Sequence, residues 1–225
     1  MTRFSVRAPH AAALTLCLFE DDTETRLPMV RDGADWVLET PAPSGIRYGF
    51  RAEGDWAPEQ GRWFDPAKLL VDPRAVELDG CFIQHPELAR YGVDTAALVP
   101  KAIVSAPLPD APRQPPLFQR GGLIYELNVR GFTKLNHDVP EAQRGTVAAL
   151  AHPKVIAHLK RLCVSAVELM PIVAWMDERH LPPLGLTNAW GYNPVVPMAL
   201  DPRLCPGGVA ELRQTVHTLH EAAWA

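Results

Sequence analysis

The feature that most constrains this sequence is residues 164–194, where a short apolar run is followed by a long polar loop. Residues 164–170 have the length and composition of a strand buried on both faces. Pro171 ends the run, because proline has no backbone N–H to donate to a neighbouring strand. Loops longer than about 12 residues are uncommon inside compact domains and usually functional. We therefore expect a functional loop after a parallel strand; the alternative is a surface excursion held by one buried tryptophan.

Residues 121–225 alternate between strand and helix patterns. An apolar run at 123–127 predicts a strand before the one at residue 164. Apolar residues recur at helical spacing after Pro153 and again after Gly208, in the sets Val155, Ile156, Leu159, Leu162 and Val209, Leu212, Val216, Leu219. Two strands joined by a helix favour a parallel pair, so the pattern predicts a β-α-β-α segment.

Residues 3–52 show a different pattern, with short alternating apolar runs between turn residues. The runs include Phe4 with Val6, the leucines of 14–18, the segment at Trp36, and Tyr48 with Phe50. Strands at this spacing predict an antiparallel β-sandwich. Trp36, Trp56 and Trp63 could form a platform for a sugar ring. We expect instead that at least two of them pack in the core or between domains, as large aromatic side chains usually do.

The composition of the sequence limits which partners the protein can bind and which cellular compartment it can occupy. The hydrophobic fraction of 47% supports a core, while the net charge of −4 without a Lys/Arg run argues against nucleic acid or an anionic membrane as partner. No run approaches the ~20 apolar residues of a membrane span. The four cysteines have no metal-like spacing, so we expect a reducing cytoplasm, no metal site and no disulfide framework.

Three motifs in order give a specific resemblance. GLIYELNVRGFT within 121–133, VSAVELMPI at 164–172 and LTNAWGYNP at 186–194 resemble the opening of isoamylase-type bacterial glycogen debranching enzymes of the α-amylase superfamily. Residues 3–75, ending near VDP at 71–73, resemble the family-48 carbohydrate-binding module of such enzymes.

The resemblance implies a multi-domain β plus α/β fold. Its parts would be an immunoglobulin-like β-sandwich at 1–85, a Pro/Ala-rich connection at 86–120, and at 121–225 the first β-α-β-α quarter of a truncated TIM (β/α)8 barrel.

The resemblance also implies the parent reaction. These enzymes hydrolyse α-1,6 branch linkages in glycogen or limit dextrin by a retaining mechanism, which needs two carboxylates across the scissile bond and no organic cofactor. In the family those carboxylates follow later barrel strands, and none of these 225 residues matches them. Glu168, Asp177 and Glu178 are better explained as a hydrogen-bonding group of the barrel interior and two solvated charges. We expect no catalytic residue here and no hydrolysis by this chain alone.

Part of the substrate cleft is nevertheless implied. Tyr192 matches the tyrosine that stacks under the sugar ring at the cleavage subsite of the superfamily, and Trp190 and Asn193 flank it. Trp190 has the alternative of being buried against the loop. The implied partner is an α-glucan such as glycogen or limit dextrin. The rival interpretations are a non-catalytic α-glucan-binding protein and a degenerate remnant.

Overall fold

The computed structural model describes residues 1–21, 23–107, 110, 117–118 and 120–222, which form two compact units. The first comprises Met1–Pro107, Met176–Thr187 and Val195–Ala199. The second comprises Asn188–Pro194 and the described residues of Leu108–Trp175 and Leu200–Ala225. Each unit has its own hydrophobic core.

The first unit is built from antiparallel strands. They are β1 (Thr2–Arg7), β2 (Ala13–Glu20), β3 (Thr23–Pro28), β4 (Val30–Asp32), β5 (Asp35–Thr40), β6 (Arg47–Glu53), β7 (Trp56–Ala57), β8 (Arg62–Trp63) and β9 (Ala102–Ile103). One sheet has the order β1-β5-β4, another has the order β3-β2-β6-β9, and β7 and β8 form a hairpin. Short 3₁₀ helices occupy Pro58–Gln60, Pro86–Ala89 and Pro182–Leu184. The predicted antiparallel strands of the N-terminal region are thus present.

Strand β2 shows why the pattern produces a sheet with a dry face. Leu14 and Leu16 point to one side and are 4% and 0% exposed, while β3 and β6 pair with the two edges of the strand. Tyr48 of β6 packs edge-on against Phe4 of β1, and its hydroxyl donates to Asp72 at 2.8 Å. Burial of these apolar faces is the main stabilising contribution to the unit.

A buried guanidinium ties three parts of the first unit together. Arg51 is 3% exposed, and its guanidinium donates to both oxygens of Glu24 at 2.7 and 2.9 Å. It also donates to Asp94 at 2.9 Å and to the carbonyl of Ala67. A buried charge is costly unless it is paired and hydrogen-bonded, and here all three nitrogen atoms of the Arg51 guanidinium donate hydrogen bonds.

Only one of the three N-terminal tryptophans is buried, which contradicts our expectation for at least two. Trp36 is 6% exposed and donates to the carbonyl of Ala8, whereas Trp56 and Trp63 are 38% and 62% exposed. The expectation was wrong because these two lie on the short β7–β8 hairpin, outside the two larger sheets.

The second unit contains one parallel strand pair and three α-helices among its described residues. Its elements are β10 (Leu123–Leu127), α1 (Val129–Thr133), α2 (Pro153–Arg161), β11 (Val164–Leu169), β12 (Val173–Trp175) and α3 (Gly208–Glu221), with 3₁₀ helices at Glu141–Gln143 and Val147–Ala151. A further strand, β13 (Pro194–Leu200), has residues in both units. β10 pairs in parallel with β11, and α2 lies between them in the chain, so the predicted β-α-β order is present.

Helix α2 begins as the sequence predicts. His152 precedes Pro153, and its Nδ1 accepts from the backbone N–H of Lys154 at 3.3 Å, which caps the helix. Val155 and Leu159 then bury one face at 2% and 0% exposure. The apolar spacing thus predicted the helix and its two buried residues, whereas Ile156 is half-buried and Leu162, predicted for the same face, is the C-cap residue and 42% exposed.

Three finer expectations for the second unit are wrong. β11 is only half-buried, because β10 and β11 form a two-stranded sheet in the described part of the chain. The segment after Pro171 is interrupted by β12 instead of being loop throughout. In α3, Val216 is 41% exposed and Thr215 is buried, because Leu212 and Leu219 pack on the core and Thr215 lies between them on the same side.

The division into 1–85, 86–120 and 121–225 stays a prediction. Within the connection, β9 pairs with β6 through Arg47 and Tyr48. Residues 108–109, 111–116 and 119 of the connection, and the last three residues of the chain, lie outside the described residues.

The ion pair between Glu24 and Arg51 predicts acid sensitivity. Hydrogen bonding by Arg51 lowers the pKa of Glu24 from 4.5 to about 2. Because the folded pKa is depressed, the stabilisation is full above about pH 4.5 and is lost as the pH falls through about 2. Glu24→Gln should lower the free energy of unfolding at pH 7 by about 2 kcal/mol and flatten this part of the pH dependence.

Urea titrations at several pH values measure this change. The matched control is Glu39→Gln, whose partner Arg3 lies 3.8 Å away with both side chains exposed, so the loss should stay below about 0.5 kcal/mol. Equal pH dependence in Glu24→Gln and in the unsubstituted protein would contradict the assignment.

The two-stranded β10–β11 sheet predicts low local stability. Leu123 and Ile124 are 49% and 50% exposed, whereas β2 is buried between two partner strands. Backbone amides of β10 and β11 should therefore exchange hydrogen faster than those of β2 and β6, by at least about tenfold. Amide exchange followed by mass spectrometry checks this, with the paired strands β1 and β5 as an internal reference. Equal, strong protection across both units would refute it.

Candidate functional site

The candidate site lies at the carboxyl ends of the two parallel strands. Parallel pairing puts these ends at one sheet edge, and the backbone N–H of Met170 donates to the carbonyl of Leu127 at 2.9 Å just beyond the ladder. Asn128 follows β10 and Pro171 follows β11 closely. In α/β folds this edge is where side chains on the following loops meet a ligand.

Asn128 fastens the long loop to this edge. Its Oδ1 accepts from the backbone N–H of Gly131 at 2.7 Å and so caps α1. Its Nδ2 donates to the carbonyl of Ala189 at 2.8 Å. One side chain therefore fixes both the start of a helix and the loop before Trp190.

The loop then turns sharply at Asn188–Gly191. Asn188 Oδ1 accepts from the backbone N–H groups of Trp190 and Gly191 at 3.0 and 2.8 Å. Gly191 has φ +78°, and a Cβ there would lie 3.0 Å from the carbonyl oxygen of Pro171. A side chain at 191 would therefore be both strained and too close to the end of β11.

The Gly191 backbone packs on the buried ring of Trp175, which in turn contacts the ion pair of Arg203 with Asp201; we call these three residues the floor of the loop. Trp175 is 6% exposed and lies in ordinary contact range of the Gly191 position. The Arg203 guanidinium lies 3.7 Å from its ring centroid and donates to both oxygens of fully buried Asp201 at 2.7 and 2.8 Å. The cation–π contact and the bidentate ion pair make this floor rigid.

The loop presents two exposed aromatic rings. Trp190 and Tyr192 are 64% and 57% exposed, with ring centroids 6.4 Å apart and planes at 74°. The Tyr192 hydroxyl donates to Glu126 Oε1 at 3.3 Å. Partial desolvation and the negative charge of Glu126 raise the pKa of Tyr192, so the hydroxyl stays protonated. Glu126 itself lies beside Glu168 in the strand register.

The structure brings Trp190 and Tyr192 together at the predicted edge. The alternative that Trp190 is buried is wrong, because its ring is 64% exposed. At this turn it is the backbone of Gly191, and not the Trp190 ring, that lies against Pro171 and Trp175. Asn193 follows them and is half-buried. Sequence reasoning missed Asn128 and Glu126. The signal for Asn128 was available, because asparagine just before a helix is a preferred cap.

The described side chains of the site are the rings of Trp190 and Tyr192, the amide groups of Asn128 and Asn188, and the carboxylates of Glu126 and Glu168. Glu168 is exposed, which differs from the barrel-interior role expected for it, because no described strand covers that side of β11. Within the described ranges no group of three or more His, Cys, Asp or Glu side chains is arranged to hold a metal ion. None of the described helices is long and apolar enough to cross a membrane.

Comparison with known proteins gives a family-model match for residues 1–75 and relatives along nearly the whole chain. Residues 1–75 match carbohydrate-binding module 48, the isoamylase N-terminal domain. The chain is 40% identical over 235 residues to a glycogen debranching enzyme of Yersinia enterocolitica, covering 97% of this chain and 35% of the relative. A glycogen debranching enzyme of Enterobacter sp. (strain 638) is 40% identical over 233 residues, with the same coverage.

Solved structures show the same fold. Pullulanase type I from Bacillus subtilis, complexed with maltose, is 21% identical with a TM-score of 0.68, covering 99% of this chain and 30% of the pullulanase. The GBS pullulanase SAP in complex with maltotetraose is 20% identical with a TM-score of 0.70, covering 99% and 31%. The chain thus spans about a third of the length of its relatives. The predicted resemblance is confirmed: nearly all of this chain is related to part of a bacterial glycogen debranching enzyme, beginning with a region that matches carbohydrate-binding module 48.

Proposed function

We propose that these 225 residues are the substrate-docking part of an isoamylase-type debranching enzyme. In this proposal the first unit is an immunoglobulin-like β-sandwich and the second is the first β-α-β-α quarter of a TIM (β/α)8 barrel. Parallel β10 and β11 with α2 between them, and a structured loop at their carboxyl ends, support it. The identity to glycogen debranching enzymes supports the activity class.

The activity proposed for the whole enzyme is hydrolysis of α-1,6 branch linkages in glycogen or limit dextrin, with retention. Retention needs a nucleophile and a general acid about 5 Å apart across the scissile bond. The nearest acidic pair in this site, Glu126 and Glu168, consists of register neighbours on one sheet, and Glu126 is bonded to the Tyr192 hydroxyl. In this proposal Glu126 orients the Tyr192 ring by accepting a hydrogen bond from its hydroxyl. We therefore propose that the 225-residue chain by itself binds glucan without cleaving it.

Tyr192 carries the proposal for the site. It is a half-exposed ring on a loop anchored by Asn128, with its hydroxyl held by Glu126, so its orientation is fixed. A fixed flat ring offers an apolar face to the C–H face of a pyranose. Trp190 would form a side wall at 74° to it, and Asn193 would supply polar contacts to hydroxyl groups.

A second candidate function is a non-catalytic α-glucan-binding protein. The exposed rings of the Tyr192 loop favour it, because they suit a sugar without any catalytic group. A degenerate remnant is the third interpretation, and it predicts no glucan affinity at all. For the remaining properties we propose a cytoplasmic location and a reaction without organic cofactor. Free thiols at Cys17, Cys163 and Cys205 support a reducing compartment.

Tyr192→Ala tests the docking role directly. Loss of the ring should weaken binding of maltotetraose at this loop by about tenfold, whereas Tyr192→Phe keeps the stacking face and should lose less than about threefold. Isothermal titration calorimetry on the full chain measures both. Equal affinities for all three proteins would count against the site. Release of reducing ends from glycogen limit dextrin by this chain would refute the proposed lack of cleavage.

Asn128 offers a substitution that separates its two hydrogen bonds. Asn128→Asp keeps an oxygen to cap Gly131 but loses the donor to Ala189, whereas Asn128→Ala loses both bonds. The Asp variant should keep a melting temperature within a few degrees of the unsubstituted protein but loosen residues 188–192, giving faster amide exchange there and weaker maltotetraose binding, by about three- to tenfold. Unchanged exchange at 188–192 in Asn128→Asp would show that the loop does not depend on this contact.

A further inference from the structure

The two charged residues of the floor lie in the turn between β13 and α3, outside the loop that carries Tyr192. Asp201 is fully buried, and its carboxylate accepts from the backbone N–H of Arg203 at 2.9 Å and from the guanidinium of Arg203 at 2.8 and 2.7 Å. The same guanidinium donates to the carbonyl of Trp175 at 3.2 Å. The turn therefore holds a residue that lies 28 positions earlier in the chain.

Asp201 is itself tied to the chain segment that follows β11. Its backbone N–H donates to the carbonyl of Ile172 at 2.9 Å. Ile172 comes directly after Pro171, whose carbonyl oxygen is the atom closest to the Gly191 position. Because a backbone hydrogen bond fixes the carboxylate and a bidentate ion pair fixes the guanidinium on it, Arg203 has little freedom to move.

The orientation of the Trp175 ring depends on this guanidinium. A buried indole N–H usually finds a hydrogen-bond partner, which holds the ring in place. Trp175 Nε1 is buried and has no such partner in the part of the chain that the structure describes. The ring is held instead by its contacts, with the Arg203 guanidinium 3.7 Å from its centroid and Gly191 near its Cε3 edge. Loss of the guanidinium would thus free the ring beneath Gly191.

A shift of Gly191 would pass directly to Tyr192, the next residue. The hydroxyl of Tyr192 donates to Glu126 at 3.3 Å, which is long for an O–H···O hydrogen bond. Such a bond contributes little by itself, so it cannot keep the ring in place on a displaced backbone. The position of the Tyr192 ring therefore depends on the support under Gly191.

We propose that Arg203 is a positioning residue for the Tyr192 loop: paired with Asp201, it holds Trp175 under Gly191 and so sets the position of the Tyr192 ring. Arginine suits this role because its planar guanidinium can lie on a ring while it donates to a carboxylate and a carbonyl, whereas a lysine ammonium is a compact point charge. The inference rests on the proposed function only for the sugar that the ring would contact.

The competing explanation is that the ion pair serves only the entry to α3. Asp201 and Arg203 lie shortly before this helix, and the carbonyl of Asp201 accepts from the backbone N–H of Leu204 at 3.0 Å. A role confined to this turn predicts that substitution of Arg203 leaves Tyr192 unaffected. The two explanations therefore differ in the response of one tyrosine.

Fluorine NMR of the full chain labelled with fluorotyrosine measures that response. Arg203→Lys keeps a positive charge beside Asp201 but loses the planar contact with Trp175. It should shift or broaden the Tyr192 resonance, which Tyr192→Phe assigns, and weaken maltotetraose binding by about three- to tenfold. The resonance of Tyr125, which packs on both cores of the second unit, should stay unchanged.

Two further variants complete the test. Glu221→Gln removes an exposed contact with His217 within α3, 3.3 Å long, and should change neither resonance. Asp201→Asn combined with Arg203→Met removes both charges, so that no unpaired carboxylate stays buried. This double variant should alter the Tyr192 resonance as Arg203→Lys does, and it keeps the test available if Arg203→Lys does not fold.

A Tyr192→Ala background shows whether Arg203 acts through the ring. There Arg203→Lys should weaken maltotetraose binding by less than about twofold, because the ring that it positions is absent. Equal losses of affinity in both backgrounds would overturn the inference.

The fluorine signal decides the inference even without a sugar. An unchanged Tyr192 resonance in Arg203→Lys and in the double variant overturns it. A joint change of Tyr125 and Tyr192 also overturns it, since that result indicates general loosening of the second unit. If the unsubstituted protein binds no maltotetraose, the proposed function fails, while a selective change at Tyr192 still supports the positioning role.

Discussion

The parallel pairing of β10 with β11 is the constraint on which the candidate site depends. It brings Asn128 and Pro171 to the same sheet edge, although they are 43 positions apart in the chain. Asn128 can then reach Ala189, and Gly191 can approach the carbonyl of Pro171 closely. An antiparallel pairing would send the two chain segments to opposite edges. The orientation of Tyr192 is therefore a consequence of strand direction before it is a consequence of the loop sequence.

Both units stabilise charge by burying it with its partners. In the first unit, Arg51 donates hydrogen bonds to both Glu24 and Asp94. In the second unit, the Arg203 guanidinium stacks on Trp175 and forms a bidentate ion pair with fully buried Asp201. Such groups stabilise little relative to an apolar core, but removing one partner leaves a costly unpaired charge. They therefore fix one arrangement of the chain. In the second unit that arrangement includes the floor under Gly191, which links a salt bridge to the shape of the loop.

Much of this was accessible from the sequence because it depends on local patterns. The alternation in 14–18 predicted β2, Pro153 predicted the start of α2, and WGYNP predicted two loop aromatics at a sheet edge. What failed depends on long-range packing. Periodicity grouped Val216 with the apolar face of α3, whereas the core touches Thr215. General burial statistics predicted that at least two of Trp36, Trp56 and Trp63 are packed inside, yet Trp56 and Trp63 lie on a hairpin of two-residue strands that does not cover them. Glu126 as a partner for Tyr192 could not be predicted, since 66 residues separate them.

Exposed tryptophans in both units have a common physical explanation. Each ring left in water forfeits the burial energy that it would gain in a core, roughly 1.5–3 kcal/mol for a large apolar side chain. Trp63 and Trp190 are exposed by more than 60% on short turns whose backbones are closely fixed, one by a hairpin and the other by Asn188 and Asn128. A rigid support for an exposed ring lowers the entropy lost when a ligand binds.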